Sequence, residues 1–205
     1  MKTRTKRPTT HLDRIRKNSQ KYIQKKNDEY NAMSPIKRRV HTLKELVLMM
    51  ETRQFVGGSG YGSLTEEGSY AEVSRGDLQN LLVRNTEIQC IGCAKAGIMF
   101  AKAVLGNDVE KRFYGSELSD ANSVSHEILG PSLANLIESL YELPYDFDYR
   151  IRGNELSVLR QFKSKLPDRF TEPHERLLVL YKNIIKNRGH FVIDGFDSRS
   201  IEKYD

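Results

Sequence analysis

Two cysteines, Cys90 and Cys93, stand three positions apart in Cys90-Ile91-Gly92-Cys93, the spacing of a dithiol redox pair or of half a zinc site. A zinc centre needs two further ligands. The chain has no second cysteine pair, and His11, His41, His126, His174 and His190 show no His-x(3–5)-His spacing, so no metal site is assigned. A redox dithiol requires a βαβ surround, whereas the flanking sequence reads as helix, with Thr86 to Gln89 as the one short strand candidate. A nucleophilic arrangement would place Cys93 at a helix start, where the backbone dipole lowers a thiol pKa, with His190 as base, Asp194 to orient it and Gln89 supporting an oxyanion. Only the chain order recommends it. The plainer alternative is that both cysteines are small buried hydrophobes beside Ala94 and Gly97. Asp194, Asp197 and Asp205 show no spacing suited to acid–base or metal chemistry. No catalytic residue is assigned.

The segment Gly57-Gly58-Ser59-Gly60-Tyr61-Gly62 has the glycines of a tight loop. It lacks the Gly-Lys-Ser/Thr ending of a phosphate-binding loop, and Arg53 to Val56 before it is expected to close a helix rather than form a strand. No cofactor is expected.

Charge is the feature most unevenly distributed. Residues 1–39 hold thirteen cations, Lys2, Arg4, Lys6, Arg7, Arg14, Arg16, Lys17, Lys21, Lys25, Lys26, Lys37, Arg38 and Arg39, against Asp13, Asp28 and Glu29, a net +10. The whole chain carries +6, so the remainder carries −4. This predicts a basic flexible arm, 1–39, joined to a mildly acidic body, 40–205, with the break near Ser34-Pro35, where proline interrupts a continuing helix. Leu12, Ile15, Tyr22 and Ile23 are too sparse to pack, so the arm is expected to be mobile in isolation, helical only transiently or on binding. Its cations are candidates for phosphate neutralisation and counterion release, with Tyr22 and Tyr30 available for stacking. The alternative is a merely solvated tail.

The elements that would hold such an arm are mainly helical. With 205 residues, 38% hydrophobic and 29% charged, the chain is long enough for one core and too polar to live in a bilayer. Thr42-Leu43-Lys44-Glu45 resembles a capping box opening a helix from Leu43 to Gln54. A helix is expected from Asp77 to Val83 and another from Cys90 to Leu105, the latter with a stripe of small residues that admits a close neighbour. Ser116 to Ser125 reads as a polar connection, and Leu133 to Tyr141 as a helix. Tyr145 to Val158 reads as a hairpin, and Glu175 to Asn187 as a helix stopped by Gly189. His190 to Asp194 reads as a short terminal strand. The expected fold class is mainly α with a minor β component: a single helical domain, a short β-hairpin and a basic N-terminal arm. No apolar run approaches the roughly 20 residues of a membrane span. The polar N-terminus predicts no secretory leader, and the expected location is the host cytoplasm or a virion.

Leu43 to Leu64, then Cys90-Ile91-Gly92-Cys93-Ala94, then Arg176 to Phe191, containing Asn183-Ile184-Ile185-Lys186-Asn187-Arg188-Gly189-His190-Phe191, together resemble small uncharacterised bacteriophage or prophage proteins. Those proteins pair a Cys-x-Gly helix start with a C-terminal Asn-Ile-Ile-x-Asn-x-Gly-x-Phe helix. The resemblance covers about a third of the chain, implies a phage origin, carries no site residue and does not include the basic arm. The expected function is that of a non-enzymatic phage-type protein, virion- or genome-associated. Its arm would bind nucleic acid or an acidic assembly, and its body would dock to a protein or to itself. The alternatives are a Cys93-based intracellular enzyme or modifier, and a protein-binding inhibitor or scaffold acting on a host factor. No membrane partner is expected.

Overall fold

The computed structural model describes Thr10, Arg14 and residues 20–58, 90–106, 117–141 and 172–205. Among them 72% are helical, in the order α1 (Gln20–Asn31), α2 (Pro35–Glu51), β1 (Phe55–Gly57), β2 (Cys90–Gly92), α3 (Ala94–Gly106), α4 (Glu117–Leu129), α5 (Pro131–Tyr141), α6 (Pro173–Lys186), β3 (Val192–Ile193), β4 (Phe196–Asp197) and α7 (Arg199–Glu202). The fold is mainly α with minor β. The helix expected at Asp77 to Val83 and the hairpin expected at Tyr145 to Val158 lie outside the described residues.

Three helices, α2, α5 and α6, open on proline, whose fixed φ suits the first turn and whose missing N–H costs nothing there. Each then buries one stripe at 3.6-residue spacing. On α2 this is Leu43, Leu46, Val47, Met49 and Met50, on α5 Leu133, Leu136, Ile137 and Leu140, and on α6 Leu177, Leu180, Tyr181 and Ile184. These stripes meet α3 and Phe55 in one core. Both α2 and α6 end in a Schellman turn with an arginine in the left-handed position. Gln54 N–H bonds Met49 O at 2.8 Å past Arg53, and Gly189 N–H bonds Ile184 O at 2.8 Å past Arg188. An arginine there forgoes glycine's freedom and places a cation at the negative end of the helix.

Several expectations change. Residues 20–31 and 35–39, read as the end of a mobile arm, are helical, and the expected boundary at residue 39 falls inside α2. Tyr30 and Asn27 are both 2% exposed, and the Tyr30 hydroxyl lies 2.7 Å from Thr42 Oγ1. Burial pushes the Tyr30 phenol up to about 12 despite that bond. Thr42 therefore opens no helix. It sits mid-α2, its hydroxyl donating to Arg38 O at 2.8 Å, the local back-bond open to threonine inside a helix. Ser34-Pro35 does mark a break, but one between two helices. The polar run 116–125 lies largely within α4, which packs between α3 and α5 through Val124, Ile128 and Leu129. Its serines and aspartate suggested a connection because they prefer caps and turns locally, and tertiary packing overrides that preference.

Phe55 and Val56, expected to close a helix, and Gly57, expected to open a loop, form a strand paired in parallel with Cys90–Gly92. Two glycines make room for it. A Cβ on Gly97 of α3 would lie 3.0 Å from the Phe55 ring and 3.3 Å from Leu46, and one on Gly57 would lie 2.9 Å from the backbone of His174. The small-residue stripe of α3 thus receives an aromatic ring as well as a helix. The terminal strand expected at His190 to Asp194 is shorter, Val192–Ile193, and turns at Gly195 to pair antiparallel with Phe196–Asp197.

Gly57→Ala is expected to lower stability by about 1–3 kcal/mol, since backbone cannot yield as a side-chain tip can. Among the described residues neither side-chain amide atom of Asn27 is hydrogen-bonded, and replacing a buried unsatisfied group with an apolar one of similar shape removes a desolvation penalty of about 1–3 kcal/mol. Asn27→Leu is therefore expected to raise the urea midpoint while Gly57→Ala lowers it. Equilibrium unfolding of the two variants checks both signs.

Candidate functional site

The thirteen candidate cations fall into distinct environments. Lys2, Arg4, Lys6, Arg7, Arg16 and Lys17 lie outside the described residues. Arg14 is exposed and its amide bonds Thr10 O at 3.2 Å. Lys21 and Lys25 on α1 and Lys37 on α2 are exposed, and no carboxylate lies within ion-pair distance of them among the described residues. Lys26 pairs with Glu29 at 2.5 Å.

The last two cations belong to the architecture instead. Arg38 lies over the Tyr30 ring at 5.8 Å, donates to Asn31 O at 2.8 Å and Met33 O at 3.3 Å, and stands 3.7 Å from Glu127. It closes the C-terminal end of α1, where carbonyls lack intrahelical donors. Arg39 donates through Nε to Ile128 O at 3.2 Å and through Nη1 to Gly189 O at 2.7 Å and Glu202 at 2.5 Å. Its Nη2 donates to Leu129 O. Four of its five N–H groups are thereby engaged within the fold, which leaves this guanidinium little to offer a ligand.

Two residues past the expected end of the arm, an imidazole and a lysine, lie beside the exposed cations. His41 and Lys44 follow Lys37 at i+4 and i+7 and are exposed with it, so the three form one stripe along α2. The His41 ring lies against Tyr30, centroids 6.0 Å apart and tilted by 45°. Desolvation, then the charges of Lys44 and Lys26, lower its pKa from the ordinary 6.5. The signal in the sequence was the 37-41-44 spacing, hidden by placing the arm's end at residue 39.

The residues of the nucleophile alternative sit in separate parts of the fold: Cys93 precedes α3, whereas His190 and Asp194 follow α6. Cys93 is half-buried just before α3, where the fully buried Tyr181 hydroxyl donates to Ala94 O at 2.8 Å. His190 Nδ1 lies 3.0 Å from Glu202 Oε1. Gln89 lies outside the described residues. His174, which sequence reasoning did not single out, accepts the Gly57 N–H on Nδ1 at 3.2 Å. The carboxylates serve structure: Asp197 pairs with Arg199 at 2.5 Å, and Asp205 accepts from Ser132 N–H at 3.0 Å, capping the start of α5. Among the described residues no group of three or more His, Cys, Asp or Glu is placed to hold a metal, and no helix is long and apolar enough to cross a membrane.

Two outcomes follow from the Arg39 cluster. Arg39→Ala is expected to cost about 3–5 kcal/mol, because it strands a largely buried carboxylate; chemical denaturation measures this. Burial alone would raise the Glu202 pKa, but hydrogen bonds from Ser198, Arg39 and His190 and the charge of Arg39 outweigh it and hold the carboxyl below 4.5. A depressed carboxyl contributes stability that is complete above its unfolded pKa and is lost as pH falls through the folded one. Below about pH 4.5 the wild type should therefore lose stability more steeply than Glu202→Gln, as read from urea midpoints across an acid series. No protein-family model, curated protein or solved structure matches this chain, so the site is read from its geometry alone.

Proposed function

We propose that this chain is a non-enzymatic nucleic-acid-binding protein whose exposed N-terminal cations neutralise backbone phosphates. Its resemblance to small bacteriophage proteins fits a virion- or genome-associated role. One observation carries the reading: the described part of the basic segment sorts its charges. Arg38 and Arg39 are consumed by helix ends and carboxylates, whereas Lys21, Lys25 and Lys37 are exposed, with no acidic partner within ion-pair reach among the described residues. Exposed lysines on helices are point charges suited to phosphate, tolerant of sequence and released by salt. The body then acts as the platform that holds the segment, through Tyr30, Thr42 and Arg39.

The reading is tested by titrating a DNA oligonucleotide against the full chain across a range of salt. Affinity should fall steeply with salt. Lys21→Gln, Lys25→Gln and Lys37→Gln should each reduce the log–log slope, by about 0.9 for every duplex phosphate left without its cation, or about 0.7 for a single strand. Equal affinity and slope in the triple variant would overturn the assignment of these lysines, and absence of binding at low salt would overturn the function. An acidic protein in place of nucleic acid would show as binding that competes with polyglutamate but not with DNA.

A further inference from the structure

His41 faces α1 from α2, with cations on both helices near it. Lys37 and Lys44 flank it by one turn on either side along α2, a spacing that sets side chains on a common face. From α1, Lys26 stands one turn from Tyr30, and the Tyr30 ring is the surface against which the His41 imidazole rests at 6.0 Å. The groups bearing on the imidazole are therefore Lys26 and Tyr30 from α1, with Glu29 reaching it through its pairing with Lys26. From α2 they are Lys37 and Lys44, Arg38 across the Tyr30 ring, and Glu45 one turn on, half-buried with an interaction of its own.

We propose that His41, Lys37 and Lys44 of α2 and Lys26 of α1 form a phosphate subsite in which a bound nucleic-acid phosphate draws a solvent proton onto the His41 imidazole. The inference rests on the nucleic-acid reading above and adds a recognition residue and a pH response to it. In the free protein Lys26, Lys37, Lys44 and Arg38 outnumber Glu29 and Glu45 around the ring, and this net positive surrounding opposes a further cation. A phosphate anion reverses the sign of the local field and supplies an acceptor for the second ring N–H, so the protonated ring becomes the favoured form. Charge is conserved: one proton moves from solvent to an imidazole nitrogen, no bond in the phosphate changes, and dissociation returns the proton. The free His41 pKa is already held down by desolvation, Lys44 and Lys26, and a bound anion acts in the opposite direction. Affinity then increases as pH falls between the bound and free pKa values, by about tenfold for each unit of rise.

The experiment uses the full chain and follows the His41 ring by NMR titration, free and with a DNA oligonucleotide, alongside DNA affinity at about pH 7.5 and about pH 5.5. The expected result is a higher His41 pKa in the complex, tighter binding at the lower pH, and a smaller pH response in His41→Gln. In the free protein, Lys44→Gln should raise the His41 pKa by removing one opposing charge. DNA that binds without moving the His41 pKa, or an undiminished pH response in His41→Gln, overturns this inference and leaves the nucleic-acid reading standing. If DNA does not bind, that reading fails, and inorganic tripolyphosphate decides the subsite. A rise in the His41 pKa that Lys44→Gln and Lys26→Gln diminish supports it, and no rise overturns it.

Discussion

Four acceptors from three distant stretches of chain meet on the guanidinium of Arg39: the last carbonyls of α4, the carbonyl of Gly189 just past α6, and the carboxylate of Glu202 on α7. Each is a negative end that must be satisfied somewhere, because helix C-termini leave carbonyls without intrahelical donors. Only arginine offers a planar fork of five donors that can serve several such acceptors at once. Through it α2 is bonded to α4, to the turn after α6 and to the C-terminal segment. Glu202 extends the cluster by accepting from Ser198 at 2.5 Å and by pairing with His190. Ser198 Oγ in turn receives the Phe191 N–H at 2.9 Å, in the step where the chain leaves α6. The C-terminal residue closes the same region, since Asp205 caps α5 and Gly130 leaves space for its carboxylate.

The core interior depends on close approach rather than on charge. Gly97 lets Phe55 and Leu46 press onto α3, and Gly57 lets β1 run against the first turn of α6. The Gly57 amide then finds its acceptor in the ring of His174. Two nearly buried lysines at the flanks are matched to acceptors. Lys95 reaches Asn122 at 2.5 Å and Glu138, and Lys102 reaches Glu127 at 2.5 Å. Two nearly buried lysines on α3 are thereby tied to α4 and α5, which sets the register of those helices, because an ammonium stranded without its carboxylate would be costly.

This architecture gives the basic segment its division of labour. A charge count treats Lys37, Arg38 and Arg39 as equivalent neighbours, yet consecutive positions on a helix point about 100° apart. Arg39 faces inward to the helix ends, Arg38 turns back over Tyr30, and Lys37 remains in water beside His41 and Lys44. The surface proposed to meet phosphate is thus the face of α1 and α2 left over once the fold has taken the cations it needs.

The sequence alone determined the mainly helical class, the helices at α5 and α6 and the charge asymmetry. These are local properties: Pro131 and Pro173 open helices, Arg188 and Gly189 close one, and the Leu133 to Leu140 and Leu177 to Ile184 stripes repeat at the helical period. The tertiary structure decided that residues 20–31 and 35–39 are helical, that the polar run before Leu129 belongs to α4, and that Phe55 to Gly57 is a strand. It also decided which cations remain exposed. Each of these depends on partners far along the chain. Tyr30 meets Thr42 and His41, Phe55 pairs with Cys90, and Arg39 bonds carbonyls 89, 90 and 150 residues away and a carboxylate 163 residues away. Periodicity and composition report what a segment prefers by itself, and they are silent on a hydrogen bond whose acceptor the chain supplies more than a hundred residues later.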